Sequence, residues 1–530
     1  MPEFNLSTLD SVIVLAYFAF VVYLGVRIGH GQKNTEDYFL AGRSMIWPFV
    51  GLSLYASNMT STSLVGLSGD AYATGISVFN YEWMAVVVLV IFAVFFLPLY
   101  LSSRVYTMPE FLERRYDARS RYYFAAITLI GNIVIDTAGT LFAGAILISL
   151  IFPAMALWQI ILLLSLVAGF YTILGGLKAV IYTDAVQVVL LLAGAVVVSV
   201  IAYQQVGGWE PVQAVTSPEM LSLIRPLDDP GMPWPALLFG VPLLGFYFWC
   251  TNQFMVQRIL SAKNTDHGRW GVLFAAALKL PVIFIMVFPG TMARVLYPDL
   301  SQPDLVYPTM LFDLLPAGLL GLVVAGFIAA VMSSLDSTLN SASTLVTMDF
   351  VRPLKPQLDQ QQLLRVGRWV TFVFMLLAAA WAPQIASFES LFKYLQGVLS
   401  YIAPPIVALF FLGVLWPRAN AQGAFATLMV GLLLSIIHIS GRVLEAQWLP
   451  DLGHFLYVAP VLLVICLLTH VVVSLATTPP DAQRIAPYLW TRQLYAAESA
   501  QLRRQAWYQN YRILSVLLLI ATAILVYRYR

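Results

Sequence analysis

Charge is scarce in this chain. Asp, Glu, Lys and Arg make up only 11% of its 530 residues, where soluble domains carry about 25%. Apolar residues reach 60%. This balance excludes both an ordinary soluble protein and a disordered one. Cysteine is nearly missing too. Cys250 and Cys466 both lie in apolar stretches, so no disulfide framework is expected. The histidines (His30, His267, His438, His454, His470) form no pair at helical metal-ligand spacing. A glycine-rich phosphate loop and a nucleophile elbow are also missing, which speaks against an ATP-driven pump and against an enzyme. The net charge of +2 gives no general attraction to nucleic acid. The longest gaps between apolar runs, near 207–234 and 477–512, are too short for an appended soluble domain. The second of these is expected to form a surface helix after Pro479 and Pro480.

What is present is apolar length. A helix crossing about 30 Å of hydrocarbon needs roughly 20 mostly apolar residues. About fourteen such runs are expected. They cover residues 11–28, 46–69, 77–100, 122–152, 156–174, 179–203, 235–257, 271–294, 317–348, 363–381, 391–416, 421–439, 456–475 and 513–527. The start of the chain carries no positive charge before the first run and no small-residue cleavage site after it, so that run is read as a retained helix. Positive charge alternates with the gaps. Of 29 Lys and Arg, 22 fall on one side, five on the other and two in or beside spans. That asymmetry places both termini outside. The fold class is all-α polytopic membrane protein.

Ionisable groups inside spans are rare and usually functional. Here they are Glu82, Asp136, Asp184, Lys279 and Asp336, with Glu389 and Lys393 near a span end. In the second run, six of the seven residues from Ser57 to Ser63 are polar. A broken helix lining a wet cavity suits that pattern. A fully internal helix whose hydroxyls bond back to the preceding turn is the alternative. In the ninth run Ser333, Asp336, Ser337, Asn340 and Thr344 share one helical face, with Ser334 beside it. Such oxygens suit sodium, although helix–helix hydrogen bonding would also use them. Glu82 and Lys279, with Gln396, offer acceptors and donors to a hydroxyl-rich solute. Phe248 and Trp249 offer aromatic faces to a sugar ring. A buried Glu82–Lys279 salt bridge without a ligand is equally consistent with the spacing.

Several stretches together resemble the sodium/solute symporter family, within it the sodium/glucose cotransporter branch. They are TEDYFLAGR at 35–43, YEW at 81–83, YTMPEFLERRY at 106–116, GGLKAVIYTD at 175–184, WCTNQ at 249–253, QRILSAKN at 257–264, SSLDS at 333–337, YLQ at 394–396 and YIAPP at 401–405. The likeness spans nearly the whole chain. It implies a LeuT-type core of two inverted five-helix repeats, 46–203 and 235–416, with an extra N-terminal helix at 11–28 and additional helices in 421–530. The whole chain, 1–530, is then one transporter domain. Sequence supplies the polar break in the first repeat and helix-disrupting Gly240, Pro242 and Gly245 in the second.

By the same resemblance, sodium would bind carbonyls of Ala56, Met59 and Ala330 and hydroxyls of Ser333 and Ser334. A second cation site would use Asp184, Asp336 and Ser337, so one or two sodium ions are implied. An aspartate at 336 departs from the branch, where a small or hydroxyl residue is usual. The sugar-site pattern falls on Asn58, Ser63, Glu82, Phe248, Trp249, Lys279 and Gln396. Ser63 stands where relatives carry a larger hydrogen-bonding side chain, and Phe248 where they carry a tyrosine. The function implied is sodium-coupled import of a hexose-type monosaccharide by alternating access. Inositol, sialic acid, a nucleoside or an amino acid on the same fold is the alternative, and a channel or sensor is the reading from another class. The partners implied are the sugar, sodium and the lipid bilayer, with no protein partner. Short loops suggest the plasma membrane of a bacterium.

Overall fold

In hydrocarbon each backbone N–H and C=O must be paired within its own segment, which leaves the helix as the form open to apolar runs of this composition. The structure, a computed structural model, describes residues 5–29, 34–229, 231–387, 391–444 and 454–530. Glu389, His30 and Lys33 lie outside the described residues, as does the side chain of Lys393. Among the described residues, ten helices are long and apolar enough to cross a membrane, and every one overlaps an expected run.

In chain order the main helices are α1 (Thr8–Gly29), α2 (Trp47–Asn58), α3 (Ser61–Thr74), α4 (Ile76–Ser103), α5 (Ala118–Ile151), α6 (157–175), α7 (Gly176–Val206), α8 (Ala236–Thr251) and α9 (Gln253–Leu260). Then come α10 (Thr265–Ala277), α11 (Ile283–Leu296), α12 (Leu319–Leu354), α13 (Gln360–Ser387), α14 (Leu391–Leu415), α15 (Ala421–Val443), α16 (Phe455–Ala476), α17 (Arg492–Leu502) and α18 (Tyr511–Arg528). Gly176, at φ +58°, turns the chain between α6 and α7 in a conformation other residues rarely adopt. The expected runs not matched by one uninterrupted long helix are the second, seventh and eighth, while the fifth is helical from Leu157 up to the kink at Gly176. Each of the three corresponds to an interrupted helix: α2–α3, α8–α9 and α10–α11.

Two interruptions differ from the sequence reading. In the seventh run the chain stays helical through Gly240, Pro242 and Gly245. A wide π turn at Ala236–Gly240 gives slack, and Pro242 follows it at the start of a fresh helical segment, where its missing N–H leaves no bond unmade. The break falls ten residues beyond Pro242, at Asn252, whose backbone is extended (φ −64°, ψ 129°). The eighth run is broken in its middle. Pro281 cannot continue the helix, and Leu278–Pro281 form a turn between α10 and α11.

α12 sits at the centre: 83% of its most apolar window is buried, against 17% for α1 and α18. It packs on α7, α1, α13 and α2. Asp10 of α1 accepts from the backbone N–H of Gly318 and of Gly321, each at 2.7 Å, so a carboxylate caps the start of α12. Close approach of α2 and α10 depends on glycine. A Cβ on Gly51 would lie 2.7 Å from the carbonyl oxygen of Gly271. Arg115 is buried and donates to the carbonyls of Gly413 (2.6 Å), Ala419 (3.0 Å) and Trp416 (3.2 Å), closing the end of α14. The expected surface helix is α17. Its Glu498 accepts from Tyr511 at 2.7 Å, from Arg512 at 2.8 Å and from Arg269. Burial raises the Glu498 carboxyl, but these donors outweigh it and hold it below the usual carboxylate value.

Candidate functional site

The polar run Ser57–Ser63 does break its helix. α2 ends at Asn58, and Thr60, in extended conformation, caps α3 by accepting from the N–H of Thr62 and Ser63. The Thr60 N–H turns to the Asn58 carbonyl at 3.0 Å, so the Ala56 carbonyl loses the donor that a continuing helix would supply. Ser63 Oγ also donates to Asn58, at 2.7 Å. The Asn58 side-chain oxygen is buried without a hydrogen-bond partner. Such an acceptor in a polar pocket calls for a donor from outside the chain.

A cavity of about 130 Å³ opens at this break. That is roughly ten times the 10–15 Å³ that admits one water, so it suits a small organic solute better than a bare ion. Asn58, Ser63, Glu82, Phe248, Trp249 and Gln396 line it. These are six of the seven residues expected at a solute site. The seventh, Lys279, stands behind the wall in the turn before Pro281. It is buried and donates to Glu82 Oε2 at 2.7 Å, with its Nζ 5.1 Å from the Trp249 ring centre and 5.5 Å from that of Tyr55. The salt bridge is therefore formed, and Lys279 meets the cavity lining only through Glu82 and Trp249 among the described contacts. Phe248 and Trp249 meet edge to face, ring centres 5.3 Å apart.

The expected sodium residues belong to α2, the break after it and α12, two helices that touch where the Ser57 and Ser337 hydroxyls lie 3.4 Å apart. Ser334 lines the cavity and donates to the Ala330 carbonyl at 2.9 Å, and Ala56, Met59 and Ala330 are buried. Ser333 does not face the cavity in this arrangement; its hydroxyl donates to Asp184. Asp184 also accepts from Ser53 at 2.5 Å and pairs with Arg258 at 3.5 Å. Arg258 donates in turn to Ser53 at 2.8 Å and to Ser337. Its charge also acts with that of buried Asp336. The residues of the expected second cation site thus converge around a guanidinium from the chain itself. The remaining stripe residues, Asn340 and Thr344, bind the Gln257 amide at 3.1 and 2.9 Å, which is helix–helix hydrogen bonding.

The sequence puts Arg258 in a gap between spans; in the structure it is buried on α9 against Asp184, Ser53 and Ser337. Its spacing from Asp184 gives no clue to the pairing. Thr60, Thr62, Tyr81, Asp136, Thr140 and Thr338 also line the cavity. Thr60 and Thr62 belong to the polar run and Tyr81 to the YEW stretch, Asp136 is the intramembrane acid that the sequence leaves without a role, and Thr140 and Thr338 carry no such signal.

Comparison with known proteins follows the same lines. The model of the sodium:solute symporter family matches residues 38–431. Sodium/myo-inositol cotransporter 2 of Oryctolagus cuniculus is 36% identical over 94% of this chain and 82% of its own. Sodium/glucose cotransporter 4 of Danio rerio is 36% identical over 92% of this chain and 82% of its own. Among solved structures, a substrate-bound, outward-open Na+-coupled sialic acid symporter matches with a TM-score of 0.79 at 23% identity, covering 90% of this chain and 99% of that one. Mhp1, a nucleobase-cation-symport-1 family transporter in a closed conformation, matches with a TM-score of 0.56 at 13% identity, covering 86% of this chain and all of that one. The last two likenesses concern the fold.

Proposed function

The chain belongs to the sodium:solute symporter family, and on that premise we propose that it imports a hexose-type monosaccharide, driven by sodium, through alternating access. The observation that carries this reading is the cavity at the helix break. It joins unpartnered Asn58, the Glu82 carboxylate, Ser63 and the Gln396 amide to the aromatic faces of Phe248 and Trp249. Hydroxyl donors satisfy the first three groups, and the amide both gives and accepts. Flat apolar ring faces suit the aromatic pair. A cyclic polyol has the same chemistry, so inositol is the second reading. It is favoured by the relative named a sodium/myo-inositol cotransporter.

Sodium is the co-substrate. We assign its principal site to the carbonyls of Ala56, Met59 and Ala330 with the hydroxyls of Ser333 and Ser334. The freed Ala56 carbonyl and the cavity-facing Ser334 hydroxyl support that assignment. Ser333 must leave Asp184 to join it. A second ion at Asp184, Asp336 and Ser337 would require Arg258 to withdraw. Sodium at the junction of α2, α3 and α12 holds the broken helix against the central one and favours the outward-open state. A ligand shifts such a balance only through its differential affinity for the two states. The solute then closes the outer side, and sodium leaves inward.

The remaining architecture follows the same reading: fourteen crossings, both termini outside, the plasma membrane, and inverted repeats at 46–203 and 235–416. The two repeats would each contribute a broken helix, α2–α3 and α8–α9, as transporters of this design do. The test is uptake of labelled hexoses and inositols into proteoliposomes with and without an inward sodium gradient. Gradient-dependent uptake of one of them supports the reading. Gradient-dependent uptake of an amino acid or sialic acid alone would keep the sodium site and discard the solute assignment.

A further inference from the structure

The cavity wall carries two carboxylates, Glu82 and Asp136, and among the described residues no Lys, Arg or His. The two acids differ in their surroundings. Glu82 is matched by Lys279 at 2.7 Å. Asp136 meets no cation among the described residues; its neighbours are Asn252 and the phenols of Tyr247 and Tyr394. The wall therefore holds one carboxyl group with no cation of the chain beside it among the described residues.

Two features aim this group at a ligand. Asp136 sits in a wide π turn, Asn132–Thr137, inside α5. Such turns interrupt helices at a stability loss and recur at functional sites. Asn252 sits at the break between α8 and α9, and its side-chain oxygen, like that of Asn58, is buried without a partner. Each helix break thus holds one unsatisfied amide oxygen; Asn58 lines the cavity itself, and at the second break it is Asp136, near Asn252, that does so.

We propose that Asp136 is a specificity-determining residue of the solute cavity: its carboxylate forms a second polar pole that accepts solute hydroxyls and rejects anionic solutes. The inference rests on the reading of the cavity as a solute site. It narrows the substrate class to neutral hydroxylated rings, and it turns away carboxylate-bearing sugars. Like charges brought together in a partly dry site oppose binding strongly, by roughly 100-fold or more.

The test uses two compounds of one shape and different charge, glucuronate and glucuronamide, as competitors of labelled hexose uptake in sodium. In the wild-type protein glucuronamide is expected to compete at least about 100-fold better than glucuronate. Asp136→Asn should narrow that gap at least about tenfold, and Asp136→Glu, which keeps the charge, should preserve it. Equal competition by the two compounds in the wild-type protein overturns the proposal without any variant. So does an unchanged gap in a folded Asp136→Asn protein, the result expected of a carboxyl that stays protonated at neutral pH. Loss of selectivity for charge with hexose uptake intact leaves the transport reading standing. Absence of sodium-dependent uptake for every neutral solute sinks that reading, and this inference with it.

Discussion

Lys279 and Glu82 stand 2.7 Å apart where neither is freely reached by water. Removing one partner strands the other, at a loss of about 3–5 kcal/mol. Lys279→Met should therefore lower the unfolding temperature in detergent markedly, and Lys279→Met with Glu82→Gln should recover most of it. No recovery in the double variant would show that the pair is not coupled. Gln396 differs, since it lines the cavity and its role is argued from the solute alone. Gln396→Ala should raise the solute KM about tenfold, the loss of one hydrogen bond of about 1.4 kcal/mol. The half-saturating sodium concentration should hardly move. Many of these residues are legible in the sequence because a polar side chain in an apolar run needs a reason. Glu82, Asn58 and Gln396 stand out in that way. Arg258 does not, because an arginine beside the end of a run looks like a loop charge until α9 is seen to bury it against Asp184.

Among the elements, the breaks matter most, and they are unequally readable. The first is written in six polar residues out of seven from Ser57 to Ser63. The second rests on Asn252 alone, while more obvious Gly240 and Pro242 are absorbed by a π turn. Local letters show where a helix is weak, but packing decides where it yields. Packing also sets the close crossing of α2 and α10. Gly51→Val drives a side chain into the Gly271 carbonyl, so folded protein on size-exclusion chromatography should fall sharply. Gly397→Ala, with nothing within 4 Å of the added carbon, should leave the profile unchanged. On the surface, α17 is joined to the bundle through Glu498. Its carboxyl is held below the ordinary value near 4.3. A depressed folded-state pKa contributes stability above the unfolded value, and that contribution is lost as pH falls through the folded one. Glu498→Gln should therefore be less stable than wild type at pH 7, and the difference should vanish in acid. A difference that grew on acidification would contradict the ion cluster.

The whole molecule was the most legible scale. Composition alone demands a bilayer, and each of the ten long apolar helices overlaps an expected run. What composition cannot supply is the assembly that brings α2, α3, α4, α5, α8, α9, α12 and α14 to one cavity, because contacts between distant segments leave no local periodicity. The central claim is that sodium and solute move together through that cavity. It is tested most directly by accumulation of the transported hexose or inositol in sealed proteoliposomes under an inward sodium gradient, with the potential clamped. The account expects the internal concentration to rise above the external one and to fall back when a sodium ionophore collapses the gradient. Uptake that stops at equal concentrations, whatever the gradient, would contradict it.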